Sequence, residues 1–173
     1  MGIKVRENLG ISDGNIQINE SNKKKIITAI RKYRPEIVFA PFPFDRHPDH
    51  IYAGNLIKDC IFYSGLKKIS TGKYKEFRPH RIFFYKSASD MPVSFIIDVS
   101  KTFKKKLEVL KCYSTQFYDP KSKEPETFIS SKLFDKEIET RARYFGFKIG
   151  AEFGEPFYCY EPLSVNSDSL FEI

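Results

Sequence analysis

The feature that most constrains this chain is a short apolar run, residues 36–42, that passes directly into a dense cluster of ligand-type side chains. A run of this length is typical of a strand that is covered on both faces in a parallel sheet. The cluster contains His47, Asp49 and His50, and therefore two of the chain's three histidines. A strand that leads into a polar loop and a helix start is the place where α/β proteins bind ligands.

The segments around this run alternate between helical and strand patterns. A helix capped by Asn19, Ser21 or Asn22 is predicted to run until Arg34 and Pro35 stop it, and a second from about Pro48 to Tyr63. Further strands are predicted over residues 80–85 and 94–99, and an extended tail over 156–160. A helix capped by Ser100 is predicted to run to about Tyr113, and a last helix over 132–148. Their apolar faces are predicted to be formed by Phe103, Leu107 and Leu110, and by Phe134, Ile138, Ala142 and Phe145. This alternation predicts an α/β fold, and we expect one domain over residues 1–173.

Composition narrows the classes of protein. The chain has 173 residues, and 29 Lys and Arg against 22 Asp and Glu give a net charge of +7. That charge suits an anionic ligand, an acidic partner or a nucleic acid, but the densest basic run, Lys101 with Lys104–Lys106, is interpreted as the solvated face of a helix. No stretch approaches the roughly 20 apolar residues of a membrane helix, and the start resembles no secretion signal. We therefore expect a cytoplasmic protein with no membrane and no nucleic-acid partner.

Cysteine usage agrees with that location. Cys60, Cys112 and Cys159 are widely spaced, and none forms a C-x-x-C pair. We interpret all three as reduced core residues, because free cysteine behaves as a small hydrophobe. His80, the third histidine, begins a predicted strand and is interpreted as structural.

The cluster at residues 46–50 has two interpretations, a catalytic site and a structural helix cap. In the catalytic interpretation one histidine binds a divalent metal while the other assists a substrate carbonyl. Zinc would lower the pKa of its bound water to about 7 and so supply hydroxide at neutral pH. Asp49 would orient a histidine through its second nitrogen, and Arg46 would hold a substrate carboxylate or phosphate. In the structural interpretation the histidines only cap a helix. A catalytic zinc also needs three protein ligands, and this segment offers one or two.

At this motif the chain resembles a known family. Residues 36–41 leading into 45–50 resemble the second signature of the LmbE-like, or PIG-L-type, zinc deacetylases. Residues 5–10 with Asp13 and Gly14, and the segments 113–120, 123–127 and 141–143, resemble the branch of bacillithiol biosynthesis that deacetylates N-acetylglucosaminyl malate.

The resemblance implies a Rossmann-like, mostly parallel sheet flanked by helices and a cytoplasmic hydrolase that removes acetyl from an amino-sugar glycoside. It implies that His50 is the zinc ligand of this motif and that His47 stabilises the tetrahedral oxyanion or acts as an acid. It assigns Arg46 to the substrate. We place Asp49 with His47 among the catalytic residues because its carboxylate could orient a histidine. It also implies assembly into homo-oligomers, while the native metal and the N-acetyl sugar stay open.

One departure from the family is large. Its members carry an earlier Ala-His-Pro-Asp-Asp signature that supplies the other zinc ligands and the general base, and no segment of residues 1–173 matches it. We therefore expect that the first strands are missing, through a misassigned start or a true truncation. A further expectation is that this chain alone is inactive and leaves apolar surface uncovered.

Two other classes of function remain. The first is a non-catalytic remnant that binds a sugar or a partner without hydrolysis. The second is a basic nucleic-acid-binding module, which no recognised motif supports and which strongly salt-dependent binding to DNA would favour.

Overall fold

A computed structural model describes residues 2–86, 90–113 and 115–164. Met1 and Ser114, which begin or interrupt segments quoted above, lie outside these ranges. The described residues form two compact units, one up to Pro92 and again from Tyr158, the other Val93–Phe157. The helices and strands are α1 (Glu20–Tyr33), β1 (Ile37–Pro41), α2 (Pro48–Ser64), β2 (Arg81–Tyr85), β3 (Phe95–Asp98), α3 (Phe103–Leu110), α4 (Lys132–Phe147) and β4 (Gly154–Tyr158). The α/β class is confirmed, and one domain over 1–173 stays a prediction.

The first unit is built on the packing of α1 against α2. Asn19 caps α1, and its side chain accepts a hydrogen bond from the backbone N–H of Asn22. Ile27 and Ile30 are buried in one cluster with Leu56 and Cys60 of α2. The helix ends at Arg34, whose φ of 48° is left-handed, directly before Pro35, as the sequence predicted.

Strands β1 and β2 pair in parallel, in a register that runs from Ile37 opposite Arg81 to Pro41 opposite Tyr85. Ala40 is fully buried, but Ile37 and Phe39 are 47% and 50% exposed. The prediction that this strand is covered on both faces is therefore wrong for these two side chains. They alternate with the buried position, so they point to the other face of the strand. The apolar run indicated the strand correctly but did not reveal the uncovered face.

Helix α2 crosses the end of β1 at a glycine. A Cβ atom built on Gly54 would lie 2.4 Å from the carbonyl oxygen of Pro41, closer than real Cβ atoms approach. Glycine is therefore required here for the close approach of helix and strand. This contact fixes the start of α2 relative to the strand that leads into it.

The second unit packs α3 and α4 on an antiparallel pair, β3 and β4. The rings of Phe103 and Phe153 stack with centroids 4.1 Å apart beside buried Ile138 and Ala142. The predicted apolar faces of both helices are confirmed. The prediction that Ser100 caps α3 is wrong, since Thr102 precedes the helix and the Ser100 hydroxyl bonds to Asp98 and Phe153.

The cysteines are all free, as expected, but they are not all core residues. Cys60 is buried, and burial raises the pKa of its thiol to about 12. Cys159 is partly buried and Cys112 is exposed. The prediction of three core cysteines is therefore wrong for Cys112, which follows α3 on its solvent side.

No helix in the described ranges is both long enough and apolar enough to cross a membrane.

Candidate active-site loop

The candidate site begins where β1 ends. The backbone N–H of Phe42 donates to the carbonyl oxygen of Tyr85 at 3.1 Å, which closes the parallel pairing. The chain then forms a loop and enters α2 at Pro48. The loop therefore lies at the carboxyl end of a parallel strand and at a helix N-terminus, which together favour anionic groups and polar ligands. This is the position that the sequence predicted.

Asp45 is the buried centre of the loop. Its side chain is only 2% exposed. Its Oδ1 accepts a hydrogen bond from the backbone N–H of His47 at 2.9 Å and lies 3.2 Å from Nδ1 of His50. One carboxylate oxygen thus fixes both the loop backbone and a histidine ring.

His47 is the residue that caps α2. Its backbone is extended, and its Nδ1 accepts a hydrogen bond from the backbone N–H of Asp49 at 3.2 Å. A nitrogen that accepts a hydrogen bond carries no proton, so the neutral ring has its proton on Nε2. His47 therefore caps the helix, as the structural interpretation predicted, and the cap leaves Nε2–H as a hydrogen-bond donor.

His50 has the opposite arrangement. Its Nδ1 lies 3.2 Å from the Asp45 carboxylate, which can only accept a hydrogen bond, so we assign the proton of the neutral ring to Nδ1 and the lone pair to Nε2. Its side chain is 45% exposed. The centroids of the His47 and His50 rings lie 5.0 Å apart, and the ring planes differ by 31°. Hydrogen-bond partners thus assign a donor nitrogen to one ring and a lone-pair nitrogen to its neighbour.

Asp49 has a different place from the one expected. It is 6% exposed, and its carboxylate accepts hydrogen bonds from the backbone N–H groups of Gly14 at 2.6 Å and Ile16 at 3.2 Å. The contact with a histidine nitrogen that was predicted for Asp49 is made by Asp45 instead. The sequence signal for Asp45 was present, because an aspartate two residues before His47 can bond its backbone N–H. A catalytic role for Asp49 stays a prediction.

Arg46 is exposed in the loop between Asp45 and His47. The structure therefore brings Arg46, His47 and His50 into one short stretch. Asp45 lies beneath them, and Asp49 is turned toward the segment at residues 14–16.

A catalytic zinc ion takes three protein ligands and keeps one position open. Among the residues that the structure describes, no three His, Cys, Asp or Glu side chains are grouped so that they could hold a metal ion. His50 Nε2 fits one ligand position. The described residues alone do not make a complete zinc site.

The fold and the loop define an α/β protein with a polar site at the carboxyl end of a parallel strand. Residues 1–61 match the PIG-L family, described as GlcNAc-PI de-N-acetylase. The diacetylchitobiose deacetylase of Thermococcus kodakarensis is 28% identical over 163 residues, which are 90% of this chain and 56% of that protein. The chain therefore spans about half the length of the curated relative it matches.

Solved structures with a similar fold include one deacetylase. A conserved protein from Thermus thermophilus superposes with a TM-score of 0.83 at 28% identity, over 95% of this chain and 69% of that one. The N,N'-diacetylchitobiose deacetylase from Pyrococcus horikoshii, at 23% identity, shares the fold with a TM-score of 0.72 over 92% of this chain and 60% of that one. The chain is therefore similar to PIG-L, or LmbE-like, proteins, and the family model matches its residues 1–61. These matches agree with the resemblance noted above, and its bacillithiol branch stays a prediction.

Proposed function

We propose that the loop at residues 45–50 serves the hydrolytic N-deacetylation of an N-acetylglucosaminide, most specifically N-acetylglucosaminyl malate. The family match and the deacetylase relative support the reaction class. The observation that carries the proposal is the pair of neighbouring imidazoles with opposite proton positions, 5.0 Å apart. Amide hydrolysis needs a donor for the developing oxyanion, and His47 offers one at Nε2.

Each residue of the loop has its own part in this proposal. His47 offers its Nε2–H as a hydrogen-bond donor to the acetyl oxygen as negative charge develops there. His50 presents Nε2 as a zinc ligand, and Asp45 holds that ring through Nδ1, as a carboxylate commonly does behind a metal-binding histidine. Arg46 binds the malate carboxylates with parallel hydrogen bonds. Asp49 acts on the loop through its anchor at residues 14–16.

The proposal includes inactivity of the 173-residue chain by itself. One histidine ligand is too few for tight zinc binding, and among the described residues no three His, Cys, Asp or Glu side chains are grouped to hold a metal ion. We expect no acetate release from N-acetylglucosaminyl malate with added zinc. Measurable release by the purified chain would refute this part.

Substrate binding tests the role of the loop without requiring turnover. We expect N-acetylglucosaminyl malate to shift the side-chain NMR signals of His47 and Arg46. Arg46→Gln should weaken that binding by about tenfold and leave the weaker binding of N-acetylglucosamine unchanged. The reason is that only the malate glycoside carries carboxylates that the Arg46 guanidinium can bind. The control is Arg6→Gln, an exposed arginine outside the loop. Equal loss in both variants, or no shift at the loop, would overturn the proposal.

A second candidate is a non-catalytic protein that binds an acetylated amino sugar or a partner through the same loop. The absence of a three-ligand group among the described residues favours it. The nucleotide sequence upstream of Met1 separates the two functions. An in-frame run that encodes Ala-His-Pro-Asp-Asp supports the deacetylase, and its absence supports the binding protein.

A further inference from the structure

A cavity lies in the first unit, and none of its lining residues belongs to the histidine loop. It has a volume of about 290 Å³ and is lined by the later part of α2, the start of β2 and residues 159–161. Because β1 and β2 are parallel and Arg81 is the first paired residue of β2, the cavity lies at the opposite end of the strands from His47. Its volume is near the lower limit of about 300 Å³ for small-molecule sites, so it suits a small ligand.

The charges around this cavity are unequal. Three cationic side chains line it, Lys58, Arg78 and Arg81, against one carboxylate, Glu161. Arg81 Nη1 lies 3.1 Å from Glu161, whose side chain is 74% exposed. The wall therefore has a surplus of positive charge after this pairing. A phosphate monoester carries about two negative charges at neutral pH, whereas a carboxylate carries one, so the surplus is best matched by phosphate.

Aromatic rings hold two of these cations in place. Lys58 Nζ lies 5.1 Å from the ring centroid of Tyr160. The Arg78 guanidinium lies 4.7 Å from the ring centroid of Phe62 and donates to the Phe62 carbonyl oxygen at 2.9 Å. Burial, followed by the neighbouring Tyr158, raises the pKa of the Tyr160 phenol, so this hydroxyl stays neutral beside an anion. The cations are thus positioned before a ligand binds, which lowers the entropy lost on binding.

We propose that this cavity binds a small organic phosphate. The phosphate contacts Lys58, Arg78 and Arg81, and the carbon-bearing part of the ligand lies against Tyr160 and Phe62. The site is separate from the deacetylase loop and does not depend on the function proposed for it.

The probe is phenyl phosphate, titrated into the complete chain at constant ionic strength while the Tyr160 ring signals are followed by NMR. We expect saturable shifts. Lys58→Ala should weaken binding by about tenfold, because it removes one of the three cations that line the cavity. Lys68→Ala, an exposed lysine outside the cavity, should leave the affinity unchanged, and so should His47→Asn in the histidine loop.

Glu161→Gln changes the affinity in the other direction. It removes the only carboxylate of the wall among the described lining residues and releases Arg81, so binding should tighten severalfold. This variant carries the test if the Lys58 variant does not fold. Benzoate, with one charge, should bind more weakly than phenyl phosphate.

Three results would overturn the proposal. The first is no saturation with phenyl phosphate. The second is an equal loss in Lys58→Ala and Lys68→Ala, which would mean a general attraction of anions to a chain of charge +7. The third is unchanged or weaker binding in Glu161→Gln.

Discussion

At the scale of single residues, the two histidines of the loop differ in which ring nitrogen is tied to the protein. His47 uses Nδ1 to accept the helix-capping hydrogen bond, whereas Nδ1 of His50 faces the Asp45 carboxylate. The same backbone therefore sets two chemically different imidazoles side by side. One structural bond to each ring is enough to determine which nitrogen faces outward.

The capping bond of His47 can be separated from its imidazole chemistry. His47→Ala removes the cap and should lower the free energy of unfolding by about 1 kcal/mol, whereas His47→Asn restores a good cap and should cost only a few tenths of a kcal/mol. Urea unfolding of both variants measures this difference. Equal stability of the two variants would show that the Nδ1 contact contributes nothing to the helix.

Asp49 is predicted to act on stability through residues 14–16. Asp49→Asn replaces a charged acceptor of two backbone hydrogen bonds by a neutral one and should lower the free energy of unfolding by about 2 kcal/mol. The amide protons of Gly14 and Ile16 should then exchange faster with solvent. Asp13→Asn, an exposed change in the same segment, is the control, with an expected effect under about 0.5 kcal/mol. Equal effects of the two changes would contradict the anchor.

At the scale of elements, the site depends on how closely α2 approaches β1. Gly54→Ala usually favours a helix, but here the added methyl group meets the carbonyl oxygen of Pro41 at 2.4 Å. We expect a loss of about 1–3 kcal/mol in the free energy of unfolding, together with shifts of the His47 and His50 NMR signals. Lys58→Ala in the same helix should stay within about 0.5 kcal/mol. A stabilised Gly54→Ala variant would show that the helix shifts freely.

Local patterns in the sequence predicted the elements well because each depends on neighbouring residues. The cap at Asn19, the stop at Arg34 and Pro35, and the start of α2 at Pro48 follow from such signals. The direction of the Asp49 carboxylate could not be predicted, because it depends on a segment 33–35 positions earlier in the chain. The exposure of Phe39 likewise depends on what covers the strand, which an apolar run does not encode.

At the scale of the whole molecule, β1 presents an uncovered apolar surface. Within the described residues it lies at the edge of its sheet, with Ile37 and Phe39 half-exposed. Exposed strand edges with apolar side chains promote association between chains. The chain also keeps a net charge of +7, which opposes association at low salt.

We therefore expect the chain to self-associate as its concentration or the salt concentration rises. Phe39→Lys should shift the equilibrium to the monomer in sedimentation velocity, because a lysine on an edge strand disfavours pairing. Leu133→Lys is the control, since Leu133 is 79% exposed on α4. If both variants reduce association equally, the edge of β1 is not the contact.

The proposed role of the histidine loop is tested most directly by the proton position on each histidine of the folded chain. Long-range ¹H–¹⁵N NMR spectra of the imidazole rings, recorded at a pH where both rings are neutral, distinguish the two ring nitrogens. We expect a protonated Nε2 on His47 and a protonated Nδ1 on His50. The His50 cross-peak pattern should be lost in Asp45→Ala. Both rings in the same state, or a His50 pattern that Asp45→Ala leaves unchanged, would contradict the proposed role.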